Sequence, residues 1–311
     1  MRRIAVEEHF RIPLDILGNV RPETRENLFD LGEGRIKGMD EAGVDMQLLS
    51  MSAPGPEDFG ADGPNIAVQV NNKLYEAIKA HPKRFAGFAA VAPQYPKEAA
   101  KELERSVKEL GFLGAKINSN MKGKYIDGEK YWPLFEMAEK LDVPIYLHPV
   151  SPAGALAKPF LDHPKLLGAN WGLAADAGLQ AMRLISGGIF DRHPGLKIFL
   201  GHMGEALPFW IWRIDNKWPK GDPDPNSKDR KLLKKASEYI RGNFYFTTSG
   251  VFDTPPLVCV CSEVGVDRVL FAVDYPFESQ KEAVRWLDAA AISKNDKEKI
   301  YYLNAEKIFK L

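Results

Sequence analysis

The sequence is short of cysteine, of histidine and of any charge imbalance. Cys259 and Cys261 are its only two thiols, and their i,i+2 spacing within TPPLVCVCSEVG suits neither a disulfide framework nor a zinc knuckle. Lys plus Arg and Asp plus Glu both number 42, so no net field draws the chain toward nucleic acid or an anionic membrane. No apolar run approaches the roughly 20 residues of a membrane span. Met1-Arg2-Arg3 leads into a run that meets Glu7 too soon for the core of an export signal. Together these absences point to a cytoplasmic protein that recognises a small molecule, with no nucleic-acid or membrane partner.

What the chain does have is alternation. Short β-rich apolar runs fall at 5–10, 45–51, 85–91, 111–118, 144–149, 196–202, 244–250 and 268–276, with amphipathic helical patterns between them. Eight parallel strands joined by helices through right-handed crossovers close an α/β cylinder, the (β/α)8 TIM barrel, and residues 1–311 read as one such domain. The Pro-, Gly-, Asp- and Asn-rich segments 150–172 and 213–230 read as long loops at the barrel's C-terminal face.

Barrel active sites form at the C-terminal ends of strands, and chemistry-bearing residues collect there. AVEEHF ends in Glu7, Glu8 and His9; the fourth strand ends in Lys116 and Asn118, the fifth in His148, and the sixth in His202 with Glu205 beyond. Thr247, Thr248 and Ser249 end the seventh strand and Asp274 the eighth. Three of the six histidines lie at such ends. By contrast His81 and His193, each before a proline, suit helix termini, while His163 falls in a loop.

Period-2 alternation points Glu7 and His9 to one face and Glu8 to the other. With His148 and Asp274 they make a mixed nitrogen and oxygen donor set suited to Zn²⁺, Mn²⁺ or Fe²⁺. Lys116 could pair with a carboxylate, bind an anionic substrate or, once carbamylated, bridge a second metal; charge pairing is favoured, because Glu7 stands where a two-metal site wants a His-x-His. In GHMGEALPFWIWRID the glycines permit a tight turn, and Glu205, three residues on, can raise the basicity of His202 for acid–base work. Arg213 could reach an anionic substrate or pair with Asp215. Trp171, Phe209, Trp210 and Trp212 read as core or loop packing.

The Glu-x-His opening, RIKGMDEAGVDMQLLSMSAPG, LDVPIYLHP, FDRHPGLKIFLGHMGEALPFWIWRID and DRVLFAVDYPFE together resemble the amidohydrolase superfamily. They are most similar to its metal-dependent decarboxylase branch, which acts on hydroxybenzoates and related acids. The resemblance implies one divalent metal, Zn²⁺ or Mn²⁺, on Glu7, His9, His148 and Asp274, with His202 and Glu205 as a catalytic pair beside it. It implies non-oxidative decarboxylation of a small hydroxylated aromatic acid, with Asp274 delivering a proton to the ring carbon. Arg213, Lys116 and Asn118 are the candidate substrate contacts. The segment INSNMKGKYIDGEKYW departs from the branch's Gly-Phe-Ser-like loop, so hydrolysis of a small cyclic ester, lactone or amide stands as the alternative. The branch also implies a homodimer or homotetramer, with 207–218 at an interface.

Overall fold

The computed structural model of the chain describes residues 1–14 and 21–311. Among these residues nine parallel strands form: β1 (Ile4–Phe10), β2 (Met46–Met51), β3 (Phe85–Gly87), β4 (Ala89–Ala90), β5 (Ala115–Asn118), β6 (Ile145–His148), β7 (Ile198–Leu200), β8 (Phe244–Thr247) and β9 (Val269–Leu270). Every one lies within or beside an expected segment, and the third segment is split at Phe88 into β3 and β4. The ladder crosses that break through Leu113 N–H to the Gly87 carbonyl (2.9 Å) and Ala89 N–H to the Gly114 carbonyl (2.8 Å). Val6 N–H to Phe271 O at 3.0 Å and His9 N–H to Tyr275 O at 2.7 Å join β1 to the β9 segment and close the ring. The strands are buried on both faces, as a parallel sheet wrapped by helices requires.

Proline marks where helices begin. Pro22, Pro64, Pro96, Pro133, Pro208 and Pro255 each stand in a first turn, where the missing N–H has no intrahelical partner to lose. Helix Gly63–Ala80 then buries Ile66, Ala67, Val70 and Leu74 along one stripe against the barrel. Gly188, at φ 71°, separates helices Gly172–Ser186 and Ile189–Arg192. One boundary differs from expectation. The loop expected from residue 213 starts later, because helix Leu207–Lys217 runs through Arg213. Among the described residues no helix is long and apolar enough to cross a membrane.

Inside the barrel, Ile4, Val6, Phe88, Tyr146, Phe199 and Phe309 form an apolar floor that helix Asn304–Phe309 helps to close. β1 holds one extra residue relative to β2: Ala5 pairs with Gln47, but Glu8 pairs with Leu49. This bulge re-aims the strand, so that Val6 packs into the floor while Glu7, its neighbour, also turns inward.

Candidate metal centre and acid–base turn

Glu7, His9, His148 and Asp274, from β1, β6 and the end of β9, each offer a donor atom, and the four donors lie within 4.8 Å of one another. Each residue also carries a buried atom with no hydrogen-bond partner: Glu7 Oε1, His9 Nε2, His148 Nδ1 and Asp274 Oδ1. Buried polar atoms are ordinarily paired, and two buried carboxylates facing two imidazoles want a cation. The residues therefore fit a divalent metal with mixed nitrogen and oxygen donors.

Two of these side chains have their second polar atom occupied. Glu7 Oε2 accepts from Ser249 Oγ at 2.5 Å and from Thr247 Oγ1, leaving Oε1 to the cluster. His9 Nδ1 meets Ser50 Oγ at 3.2 Å and so turns Nε2 inward, 2.9 Å from Asp274 Oδ1. Burial, reinforced by the Lys116 cation, pushes the His148 imidazole well below its usual range, and the neutral ring is the form that ligates. Glu8 points away from the cluster, as expected. Its carboxylate accepts from Val273 N–H (2.8 Å) and Tyr275 N–H (3.1 Å), clamping the residue between them, Asp274, at φ 77°. Gly201 has an ordinary φ of −68°; its value is space, since a Cβ there would stand 2.8 Å from Glu7 Oε1.

His202 and Glu205 do pair, Nδ1 to Oε1 at 2.8 Å, but through an unexpected backbone. His202, Met203, Gly204, Glu205 and Ala206 all have positive φ, from 50° to 81°. Each left-handed non-glycine residue costs roughly 1–2 kcal/mol, so the turn persists only because its surroundings hold it. Gly204 N–H reaches the Gly201 carbonyl at 2.7 Å, and His202 N–H reaches Ser249 Oγ at 3.1 Å. Burial works against a charged His202, yet the Glu205 and Glu7 carboxylates hold its pKa well above the usual range. His202 Nε2 lies 3.6 Å from Asp274 Oδ2. Burial likewise favours a protonated Asp274, but the His202 and His9 imidazoles beside it keep its carboxyl below the usual carboxylate range.

A cavity of about 470 Å³ opens over this cluster, with His148, His202 and Asp274 at its base and Pro149, Val150, Leu173, Val251 and Phe277 among its walls. That volume and lining suit a small, flat, largely apolar ligand. The candidate substrate contacts are not on that wall. Lys116 and Asn118 are buried and bonded to each other (2.5 Å), and Asn118 donates to Glu57. Arg213 is exposed and does not line the cavity of its own chain, because it sits on the outer side of helix Leu207–Lys217. Its alternative partner, Asp215, instead accepts from Ser237. The aromatics expected as packing are also exposed: Phe209 by 73%, Trp212 by 72% and Trp171 by 61%. His193 pairs with Glu139 at 3.0 Å, His81 follows a helix end, and His163 is exposed. Ser50, the Glu8 clamp on Val273 and Tyr275, and the individual duties of Thr247 and Ser249 were not expected from the sequence; hydroxyls at an inward strand end beside a carboxylate were the available signal.

A family profile described as Amidohydrolase matches residues 9–311. The γ-resorcylate decarboxylase of Polaromonas sp. (strain JS666 / ATCC BAA-500) is 41% identical over 327 residues, covering 99% of this chain and 98% of that protein. A crystal structure of a dihydroxybenzoic acid decarboxylase from Polaromonas sp. JS666, with bound manganese and the inhibitor 2-nitroresorcinol, matches at a TM-score of 0.91 and 40% identity, over 100% of this chain and 97% of that one. The 5-carboxyvanillate decarboxylase of Sphingomonas paucimobilis matches at 0.93 and 35%, over 100% and 99%.

Proposed function

The chain belongs to the amidohydrolase family, and from that premise we propose that it is a metal-dependent, non-oxidative decarboxylase of a hydroxybenzoate-type acid. The observation that carries the reading is full-length likeness to γ-resorcylate decarboxylase, at 41% identity across 99% of the chain. Glu7, His9, His148 and Asp274 would hold the cation, manganese or zinc; manganese is the ion in the Polaromonas structure. When bound, it supplies a Lewis acid that anchors the oxygen atoms of a phenolic acid.

The chain's own residues supply the rest. The apolar walls hold the ring flat over the cluster and exclude water, which strengthens every charge interaction at the base. A proton passes from Asp274 to the ring carbon that bears the carboxylate. The bond to the carboxylate then breaks, its electron pair returns to the ring, and CO₂ leaves. Because His9 and His202 keep Asp274 ionised at rest, His202 is the reservoir that refills it, across 3.6 Å, while Glu205 steadies the imidazolium. Lys116 contributes charge balance toward Glu57 and Asp58 and leaves the substrate untouched. The exposed face of Phe209, Trp210 and Trp212 goes to a second copy of the chain, in a homodimer or homotetramer that sedimentation would register.

Metal analysis of the purified protein, followed by CO₂ release from a panel of hydroxybenzoates led by 2,6-dihydroxybenzoate, tests the reading. Metal-dependent CO₂ release is expected. Product that carries ¹⁸O from labelled water, with no CO₂, would identify a hydrolase instead.

A further inference from the structure

We propose that Ser249 is a positioning residue that couples the cation site to the left-handed turn of His202, so that Glu7 and His202 hold their places together. The inference rests on the metal reading above and goes beyond it. Ser249 Oγ donates to Glu7 Oε2 at 2.5 Å and accepts from His202 N–H at 3.1 Å, so one buried hydroxyl joins a metal ligand on β1 to the first residue of the turn. Thr247 Oγ1 also donates to Glu7 Oε2 and stands 2.9 Å from Ser249 Oγ. Two hydroxyl protons thus serve three oxygens. That sharing makes the carboxylate's orientation sensitive to either residue, but the bond to the turn belongs to Ser249.

The bridge is rigid at its root. Thr248, between the two, exchanges bonds with Ala272: its Oγ1 donates to the Ala272 carbonyl at 2.9 Å and accepts from Ala272 N–H at 3.0 Å. Its backbone N–H reaches Leu270 O at 3.1 Å. With Thr248 fixed outward, period 2 fixes Thr247 and Ser249 inward. Gly250 follows at φ 62°, where a Cβ would stand 3.0 Å from His202 Cδ2, so the chain leaves the site without displacing the imidazole. The turn it supports bears positive φ at five consecutive residues and needs outside restraint to stay in place. Losing the Ser249 hydroxyl therefore removes one restraint from Glu7 and one from His202 at once.

The test is a paired measurement on whole protein. Metal-free wild type, Ser249→Ala and Thr247→Val are titrated with Mn²⁺ against a chelator, and amide exchange is followed across 201–206 without metal. Ser249→Ala is expected to bind Mn²⁺ about tenfold more weakly, to exchange faster across 201–206, and to lose kcat on 2,6-dihydroxybenzoate at saturating Mn²⁺ with KM held. Thr247→Val is expected to weaken Mn²⁺ binding while leaving exchange across 201–206 at the wild-type rate. Weaker Mn²⁺ binding in Ser249→Ala with wild-type exchange and kcat would overturn the coupling, as would faster exchange with wild-type Mn²⁺ affinity. Wild type that binds no Mn²⁺ would overturn the metal reading and the coupling together. Should Ser249→Ala fail to fold, Ser249→Cys, nearly isosteric and a weaker donor, reads out the same pair at smaller amplitude.

Discussion

The two ends of the barrel interior are built on opposite rules. At the floor, Phe88, Phe199 and Phe309 meet ring to ring, with centroids 5.4 to 6.3 Å apart, and their contribution is burial. At the mouth, Glu7, His9, His148 and Asp274 leave buried polar atoms unpartnered, and two elements run through positive φ to hold side chains where burial alone would not. One end stores the stability that the other spends. If that division is right, changes at the mouth should abolish chemistry while sparing the fold, and changes at the floor should do the reverse. The largest expected effect is at the mouth. Asp274→Asn leaves a neutral carbonyl oxygen toward the metal but removes the charge and the proposed proton donor, and CO₂ release should fall by about 10³-fold or more, the scale of losing a general acid. Its thermal melt should stay near the wild type; a variant that turns over at the wild-type rate would remove Asp274 from the mechanism.

The floor supplies the converse. Phe199 is 1% exposed and touches Phe88, Tyr245 and Phe309, so Phe199→Ala should cost about 3–5 kcal/mol of unfolding free energy. Metal bound per folded molecule should not change. Denaturant melts and metal analysis of the folded fraction check the two halves; loss of metal in step with stability would mean that the ends are not separable.

This division also explains what could be read from the sequence. Strand positions and the clustering of Glu7, His9, His148 and Asp274 were legible because both depend on local pattern: an apolar run for the strand, and acid or histidine at its C-terminal end. The β1 bulge was not legible, because an extra residue in one strand shows only against its partner's register. Simple alternation would set Val6 opposite Glu7, whereas both turn inward. The left-handed run at 202–206 was hidden for a similar reason: only Gly204 in it announces positive φ, and the contacts that restrain the run, Ser249 on His202, the Gly201 carbonyl on Gly204 and the His202–Glu205 pair, are not visible in local pattern. Arg213 and the tryptophans misled the reading because amphipathic spacing identifies a helix, but which face meets the core is set by tertiary packing.

Lys116 is where the comparison can be made sharpest, since it pairs in register with Tyr146 of the floor yet carries a charge. Burial brings its pKa down from 10.5 to about 8, against the pull of Glu57 and Asp58. Below pH 8 the lysine is charged both folded and unfolded, and the folded state bears the full cost of the buried cation. Between pH 8 and 10.5 the unfolded chain binds the extra proton, so stability from this group rises with pH across that window. Relative to Lys116→Met, which lacks the titration, wild type should gain at most roughly 3 kcal/mol between pH 7.5 and 10.5. Paired guanidinium melts of the two proteins at both pH values cancel every other group. A difference that does not move with pH would mean that the lysine is solvated, and that the mouth's polar rule extends one layer deeper than the contacts of Tyr146 suggest.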